Sequence, residues 1–255
     1  MKKNRIPAAV GAALLIAGLL LVFVTRGGAI AGDASAADKM LFALSLIFTA
    51  VGFVTVIVGL LPQRRPTNVR QLALAGLFAA LCYIGFTFCK IDIPVGTEKT
   101  AFHLGNVFCV LAALLLGGFW GGMAGAVGMT IADLTTAYVT SAPKTFVLKL
   151  CIGLITGFVA HKLFHINENK ERKVPLAVSV FLSCAAGMAF NVVADPVVGY
   201  FYKTYVLGVP QKAAAIWAKI GAVTTSVNAV VAVVVAGTLY LALRPALKRS
   251  HLMPQ

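Results

Sequence analysis

Three long stretches without a charged side chain constrain this sequence more than any other feature. They cover residues 6–24, 40–61 and 71–89. A helix needs about 20 apolar residues to cross the hydrocarbon core of a bilayer, so each stretch is long enough, or nearly so, to span it. The composition agrees, because 60% of the residues are hydrophobic and only 12% are charged. We therefore predict a polytopic α-helical membrane protein.

Further apolar runs follow, with more polar interruptions, over residues 101–116, 120–140, 145–160, 174–200 and 213–243. A single helix over 101–140 would be about 60 Å long, twice the hydrocarbon thickness of about 30 Å. The chain must therefore fold back, and the glycines within 117–122 are the predicted turn. The resulting prediction is an all-α bundle of eight transmembrane helices.

Two prolines that bracket Arg64 and Arg65 mark a boundary in the chain, since a helix cannot continue through them. We predict that residues 1–67 form two N-terminal transmembrane helices and a linker. Residues 68–255 then form a six-helix membrane domain with a short tail.

Lysines and arginines lie mostly in short loops between the apolar runs and give a net charge of +14. With the amino terminus inside, most of them fall on the cytoplasmic side, as the positive-inside rule requires. This predicts a cell-membrane protein with both termini in the cytoplasm. Residues 1–31 also fit a cleavable signal peptide, although the apolar run is long for one.

Motifs of known catalytic chemistry are missing from the sequence. Residues 96–100 lack the ending of a phosphate-binding loop, and no His-Glu-x-x-His or Gly-x-Ser-x-Gly pattern occurs. The five cysteines do not have the spacing of metal ligands. We expect no enzyme activity, no cofactor and no metal site, and the missing phosphate-binding loop predicts that the chain does not hydrolyse ATP by itself.

Charged residues within the apolar runs are the strongest indication of a functional site. Asp133, Lys149 and Asp195 each lie where a charge costs about 2.5 to 3.5 kcal/mol on insertion scales. Asn191 shares a helix face with Asp195, and Asn228 forms a polar patch with Thr224 and Thr225 on the last helix. These side chains are predicted to line one polar cavity. The alternative is that Asp133 or Asp195 pairs with Lys149 as a structural contact between helices.

Ala75 and Ala79 form a small-xxx-small pair on the third apolar run. Such pairs let another helix approach closely. Internal packing and docking of another membrane subunit are both consistent with this pattern.

Several short motifs, taken in order, resemble those of one family: HLGN at 103–106, GGFWGGMAGAVG at 117–128, ADL at 132–134, Tyr138 and APKTFVLK at 142–149. The chain resembles the substrate-binding S component of energy-coupling factor (ECF) vitamin importers, over about residues 68–245. The resemblance implies a six-helix unit that captures a vitamin or vitamin precursor, here a pyridoxine-, pyrimidine- or flavin-like molecule. It also implies a transmembrane coupling subunit and two cytoplasmic ATPases as partners, with Ala75 and Ala79 at the docking face. The implied binding residues are His103, Asn106, Asp133, Tyr138, Lys149, Asn191, Asp195 and Asn228.

A self-contained carrier remains the alternative function, with Asp133 or Asp195 binding a proton or sodium ion. Such carriers often contain two matching half-repeats. No second copy of any segment is evident in the sequence, which favours the importer subunit.

Overall fold

The computed structural model of the chain describes residues 69–96, 98–167 and 174–249, together with the single residue Ala17. The two predicted N-terminal helices lie outside the described residues, apart from that one position. The predicted boundary between residues 67 and 68 also lies outside them, so both stay predictions.

Six α-helices make up most of the described chain, which confirms the helical membrane bundle predicted for this part of the sequence. Their bounds are α1 Val69–Thr87, α2 Gly105–Leu116, α3 Gly118–Thr135, α4 Ala142–Phe158, α5 Leu176–Phe201 and α6 Gln211–Arg249. A 3-10 turn, Val139–Ser141, precedes α4. Single π-helical turns follow α4, at Val159–Leu163, and α5, at Tyr202–Val206.

Four helical segments of the described chain are long and apolar enough to cross a membrane: Val69–Thr87, Val139–Leu163, Leu176–Val206 and Gln211–Leu247. The apolar helix α2 has 12 residues. At 1.5 Å per residue it is about 18 Å long and does not cross a hydrocarbon core of about 30 Å by itself. The protein is a multi-pass membrane protein in which α2 covers only part of the bilayer.

A β-hairpin joins α1 to α2, and here the prediction of a helix from residue 101 is wrong for its first residues. Strand β1, Lys90–Val95, pairs antiparallel with β2, Glu98–His103. Gly96 has φ 62° in the tight turn between them, a conformation that favours glycine. The β-branched residues that alternate along β1 favour an extended strand, and α2 starts only at Gly105.

The predicted fold-back between the fourth and fifth apolar runs is confirmed. Helix α2 ends at Leu116 and α3 begins at Gly118. The single residue between them, Gly117, has φ 87°. A side chain at this position would be strained, so the glycine makes the reversal possible.

Glycines on α3 bring four helices into backbone contact. A Cβ atom at Gly121 would overlap the backbone of Ala113 on α2, and one at Gly128 would overlap the backbone of Ala79 on α1. Gly122 and Gly153 face each other in the same way between α3 and α4. The glycine-rich motif therefore serves close helix packing and places α3 against α1, α2 and α4.

The chain divides into two compact units. Tyr200–Ala214 is the part of the first unit that lies within the described residues beyond 68, and the second unit contains the described residues of 69–199 and 215–249. In the first unit the rings of Phe201 and Tyr205 stack with their centroids 5.9 Å apart. The larger unit contains all the predicted site residues.

Candidate functional site

The eight predicted binding residues lie on the hairpin, on the five helices α2 to α6 and on the turn after α3. They are His103 on β2, Asn106 on α2, Asp133 on α3, Tyr138 after α3, Lys149 on α4, Asn191 and Asp195 on α5, and Asn228 on α6. Three of these side chains, Asn106, Asp133 and Asn191, are no more than 2% exposed. Polar groups buried this deeply need partners within the protein or from a ligand.

An ion pair joins α4 to α5 at one end of the site. Lys144 Nζ lies 2.7 Å from Asp195 Oδ1, and Thr225 on α6 donates a hydrogen bond of 2.8 Å to Asp195 Oδ2. Both carboxylate oxygens of Asp195 are therefore bonded. From the sequence, Lys149 was the considered structural partner of Asp133 or Asp195. In the structure, the ion pair of Asp195 is with Lys144.

Two contacts between α4 and α5 show that these helices run antiparallel. The ion pair of Lys144 and Asp195 is one of them. The other lies further along α4, where the Thr156 hydroxyl packs directly against Gly187. Lys149, which is 7% exposed, and Asn191 both lie between these two contacts.

Two lysines and two aspartates interact in this part of the molecule. Lys149 interacts electrostatically with both Asp195 and Asp133. The Thr145 hydroxyl hydrogen-bonds the Asp133 side chain. Together with Lys144, the formal charges of the cluster cancel, so the cluster as a whole presents no net charge to a ligand.

Four of the predicted binding residues have a buried polar atom without a hydrogen-bond partner in the described structure. These atoms are His103 Nδ1, Asn106 Oδ1, Asp133 Oδ2 and Asn191 Oδ1. An unsatisfied buried polar group costs about 1 to 3 kcal/mol. Three of the four atoms are oxygen acceptors, so a ligand rich in hydrogen-bond donors would satisfy them.

Aromatic rings and one charge pair surround the hairpin end of the site. The rings of Phe86 and His103 have their centroids 4.6 Å apart, and Tyr138 packs edge-on against Phe86 at 5.5 Å. The Tyr138 hydroxyl donates a 2.8 Å hydrogen bond to Asp92 Oδ1. Lys90 Nζ lies 3.3 Å from Asp92 and 5.0 Å from the centre of the Tyr138 ring. Tyr138 is thus held by three neighbours.

The surroundings of the hairpin shift the pKa values of two of the predicted binding residues, His103 and Tyr138. Burial, reinforced by the positive charges of Lys149 and Lys90, lowers the pKa of His103 to about 3. Burial and the Asp92 carboxylate raise the pKa of Tyr138 above its ordinary value. At neutral pH the imidazole is therefore uncharged, and the phenol keeps its proton for the bond to Asp92.

Asn228 uses both of its side-chain polar atoms on the backbone of β2. Its Oδ1 accepts a 3.1 Å hydrogen bond from the His103 amide, and its Nδ2 donates a 3.0 Å hydrogen bond to the Ala101 carbonyl. This distinguishes Asn228 from the predicted residues that have unsatisfied atoms. Its predicted contact with a ligand stays a prediction.

Ala75 and Ala79, the predicted docking pair, lie largely inside the bundle. Ala75 is 7% exposed, and the backbone of Ala79 packs against Gly128. This burial favours the internal-packing alternative, while the docking role stays a prediction. The exposed small residues on the same helix are Ala73, Gly76 and Ala80.

Sequence reasoning missed several groups that contact the predicted residues. Lys144 was assigned to a loop, but α4 begins at Ala142 with a proline in its first turn. Proline is common at that position of a helix, and this signal could have placed Lys144 on α4. Asp92 and Phe86 had no such signal, because their contacts depend on the hairpin. Within the described ranges, no group of three or more His, Cys, Asp or Glu side chains could hold a metal ion.

Comparison with known families gives one result. The family model described as ECF-type riboflavin transporter, S component, matches residues 66–245. That range contains α1 to α5, most of α6 and every predicted site residue. Searches of curated proteins and of solved structures return no match.

Proposed function

The chain belongs to the family of ECF-type riboflavin transporter S components, and from this premise we propose that it captures riboflavin for import. As an S component, it is the substrate-binding subunit of an ECF transporter. The finer assignment concerns the substrate. A flavin was one of three ligand classes implied by the sequence resemblance, and the family description favours it over pyridoxine-like and pyrimidine-like molecules.

The unsatisfied buried acceptors support this substrate more than any other observation. Asn106, Asp133 and Asn191 each have a buried oxygen without a hydrogen-bond partner among the described residues. Riboflavin has a hydroxylated chain and an imide N–H group, all of which can donate hydrogen bonds. Binding would therefore supply donors where the protein has unpaired acceptors. The flat ring could also pack against aromatic side chains such as Phe86 and Tyr138.

The balance of charge in the site agrees with an uncharged ligand. Two lysines and two aspartates interact there, and Asp195 is already paired with Lys144. An anionic ligand would have to compete with these carboxylates for the lysines. Riboflavin has no net charge at neutral pH, so it does not have to compete with the carboxylates for the lysines.

Transport is proposed to depend on partner proteins of the ECF module, namely a transmembrane coupling subunit and two cytoplasmic ATPases. We place the protein in the cell membrane with both termini in the cytoplasm and the hairpin on the outer side. The family match gives no support to the alternative, an ion-coupled carrier that uses Asp133 or Asp195.

Riboflavin binding by the purified full-length chain in detergent tests the substrate directly. We expect quenching of flavin fluorescence on titration, with one riboflavin bound per chain. Lys149→Ala should abolish binding while the protein stays folded, because this buried lysine interacts with both aspartates of the site, Asp133 and Asp195. Ser226→Ala is the matched control, since the Ser226 hydroxyl bonds the carbonyl of Ala222 within its own helix.

Two other outcomes would change the proposal in different ways. A folded protein that binds pyridoxine or a pyrimidine, but not riboflavin, would keep the S-component assignment and replace the substrate. Loss of folding in Lys149→Ala would show that this lysine is a structural residue.

A further inference from the structure

The side chain of Asn228 replaces a neighbouring strand along one edge of the hairpin. The amide of His103 and the carbonyl of Ala101 belong to residues two apart in β2, so they point to the same edge. Strand β1 pairs with the opposite edge. Asn228 accepts from one group and donates to the other, as a residue of an adjacent strand would.

This contact connects parts of the chain that are far apart in sequence. The two hydrogen bonds join residues separated by 125 and 127 positions. Each of the two backbone groups would otherwise lack a partner at a buried or half-buried edge, at a cost of about 1 to 3 kcal/mol when unsatisfied. The two hydrogen bonds therefore tie β2 to α6 at this point.

The same face of α6 also contacts the ion pair of the site. Thr225, three residues before Asn228, donates to Asp195 Oδ2 over 2.8 Å. Helix α6 thus fixes both the Lys144–Asp195 pair and the end of β2. His103, at that end of β2, has its ring against Phe86 and its Nδ1 without a partner in the described structure.

We propose that Asn228 is a positioning residue, which holds β2 so that the unpaired Nδ1 of His103 faces the ligand. In this arrangement Asn228 acts on the ligand through the backbone of His103 and does not contact the ligand itself. The inference rests on the proposed function for the identity of the ligand, but not for the contact between Asn228 and β2.

Hydrogen exchange of the ligand-free protein tests the contact. Asn228→Ala removes the acceptor of the His103 amide, so we expect faster exchange in the peptide that contains Ala101 to His103. Ser226→Ala, on the same helix, should leave that exchange rate unchanged. Unchanged exchange in Asn228→Ala would overturn the proposal. If Asn228→Ala does not fold, Asn228→Gln keeps a donor and an acceptor on a longer side chain, and altered protection at His103 is expected in that variant.

A double-mutant cycle of riboflavin binding tests whether Asn228 affects the ligand through His103. We expect Asn228→Ala to weaken binding about tenfold, the scale of one lost hydrogen bond. In a His103→Ala background the same substitution should have little further effect on binding, since the imidazole that β2 positions against the ligand is already gone. Additive losses would show that Asn228 contacts riboflavin directly and would overturn the proposal. If the wild-type chain does not bind riboflavin, the proposed function fails, and the exchange measurement still decides whether Asn228 positions β2.

Discussion

His103 illustrates how the site controls individual side chains. Its imidazole packs against Phe86, and two lysines lie near enough to disfavour a positive charge on it. The neutral form leaves one ring nitrogen as an acceptor and the other as a donor. Since Nδ1 is unsatisfied in the described structure, either role is open to a ligand.

The stability of the protein should therefore depend on pH through His103. Its pKa falls from 6.5 to about 3 on folding, so the unfolded chain binds more protons between these values. Stability from this group is complete above pH 6.5 and decreases as the pH falls below it, by at most about 1.4 kcal/mol per pH unit. Thermal unfolding in detergent from pH 7.5 to pH 5 measures the slope, and His103→Gln should reduce it. Equal slopes in both proteins would contradict the shift.

The ion pair of Lys144 and Asp195 makes a second prediction for single residues. The two side chains are 14% and 23% exposed, so removing one leaves the other charge largely buried. Lys144→Ala should lower stability toward the lower end of about 3 to 5 kcal/mol, the range for broken buried pairs. Thermal unfolding provides the measurement. Adding Asp195→Asn to Lys144→Ala should recover part of the loss, and failure to recover would mean that packing, not charge, is responsible.

At the scale of elements, α1 presents two different faces. Ala75 is buried on one side, where the neighbouring turn meets α3 at Gly128. On the other side, a Cβ atom at Gly76 would meet no atom of the described residues within 4 Å, and Leu72 and Leu77 are each 56% exposed. We infer that any docking of the coupling subunit on α1 involves the face with Gly76.

Substitution of adjacent residues on α1 separates packing from docking. Gly76→Leu should fold and bind riboflavin normally, because no atom of the described residues lies within 4 Å of the new Cβ. It should reduce riboflavin uptake by cells that express the ECF module, since a large side chain blocks close approach of another helix. Ala75→Leu should instead lower thermal stability. Two results would instead support Ala75 and Ala79 as the docking pair. One is full uptake with Gly76→Leu, and the other is normal stability without uptake for Ala75→Leu.

At the scale of the whole molecule, the chain is one subunit of a larger transporter. The family match covers residues 66–245, which contain the complete candidate site. The same match implies ECF module partners, on which we propose that transport depends. Binding and transport should therefore be separable, with binding retained by the isolated chain.

Purification from native membranes through a tag at the carboxyl terminus tests this dependence. We expect to recover a transmembrane coupling subunit and two ATPases, identified by mass spectrometry. Riboflavin uptake should disappear when the coupling subunit is deleted, while binding by the purified chain stays unchanged. Uptake that persists without the module, and that depends on a proton or sodium gradient, would instead support a self-contained carrier.

The sequence alone determined the membrane class, the helical bundle, the reversal at Gly117 and the choice of polar candidates. These properties follow from local composition, because the length of an apolar run and the cost of a charge within it are readable without a partner. Asp133, Lys149 and Asp195 could be selected for this reason. The family resemblance was likewise visible from short motifs in order.

Only the tertiary structure decided which groups those candidates meet. Four features depend on contacts that the local sequence pattern does not specify. They are the hairpin at Lys90–His103, the ion pair of Asp195 with Lys144, the buried face of α1 and the hydrogen bonds of Asn228 to β2. Such contacts are set by helix register and by close approach at glycines, not by the local pattern of polar and apolar residues. The hydrogen bond between Asn228 and His103, which joins residues 125 positions apart, shows why the sequence could select both residues but not their relation.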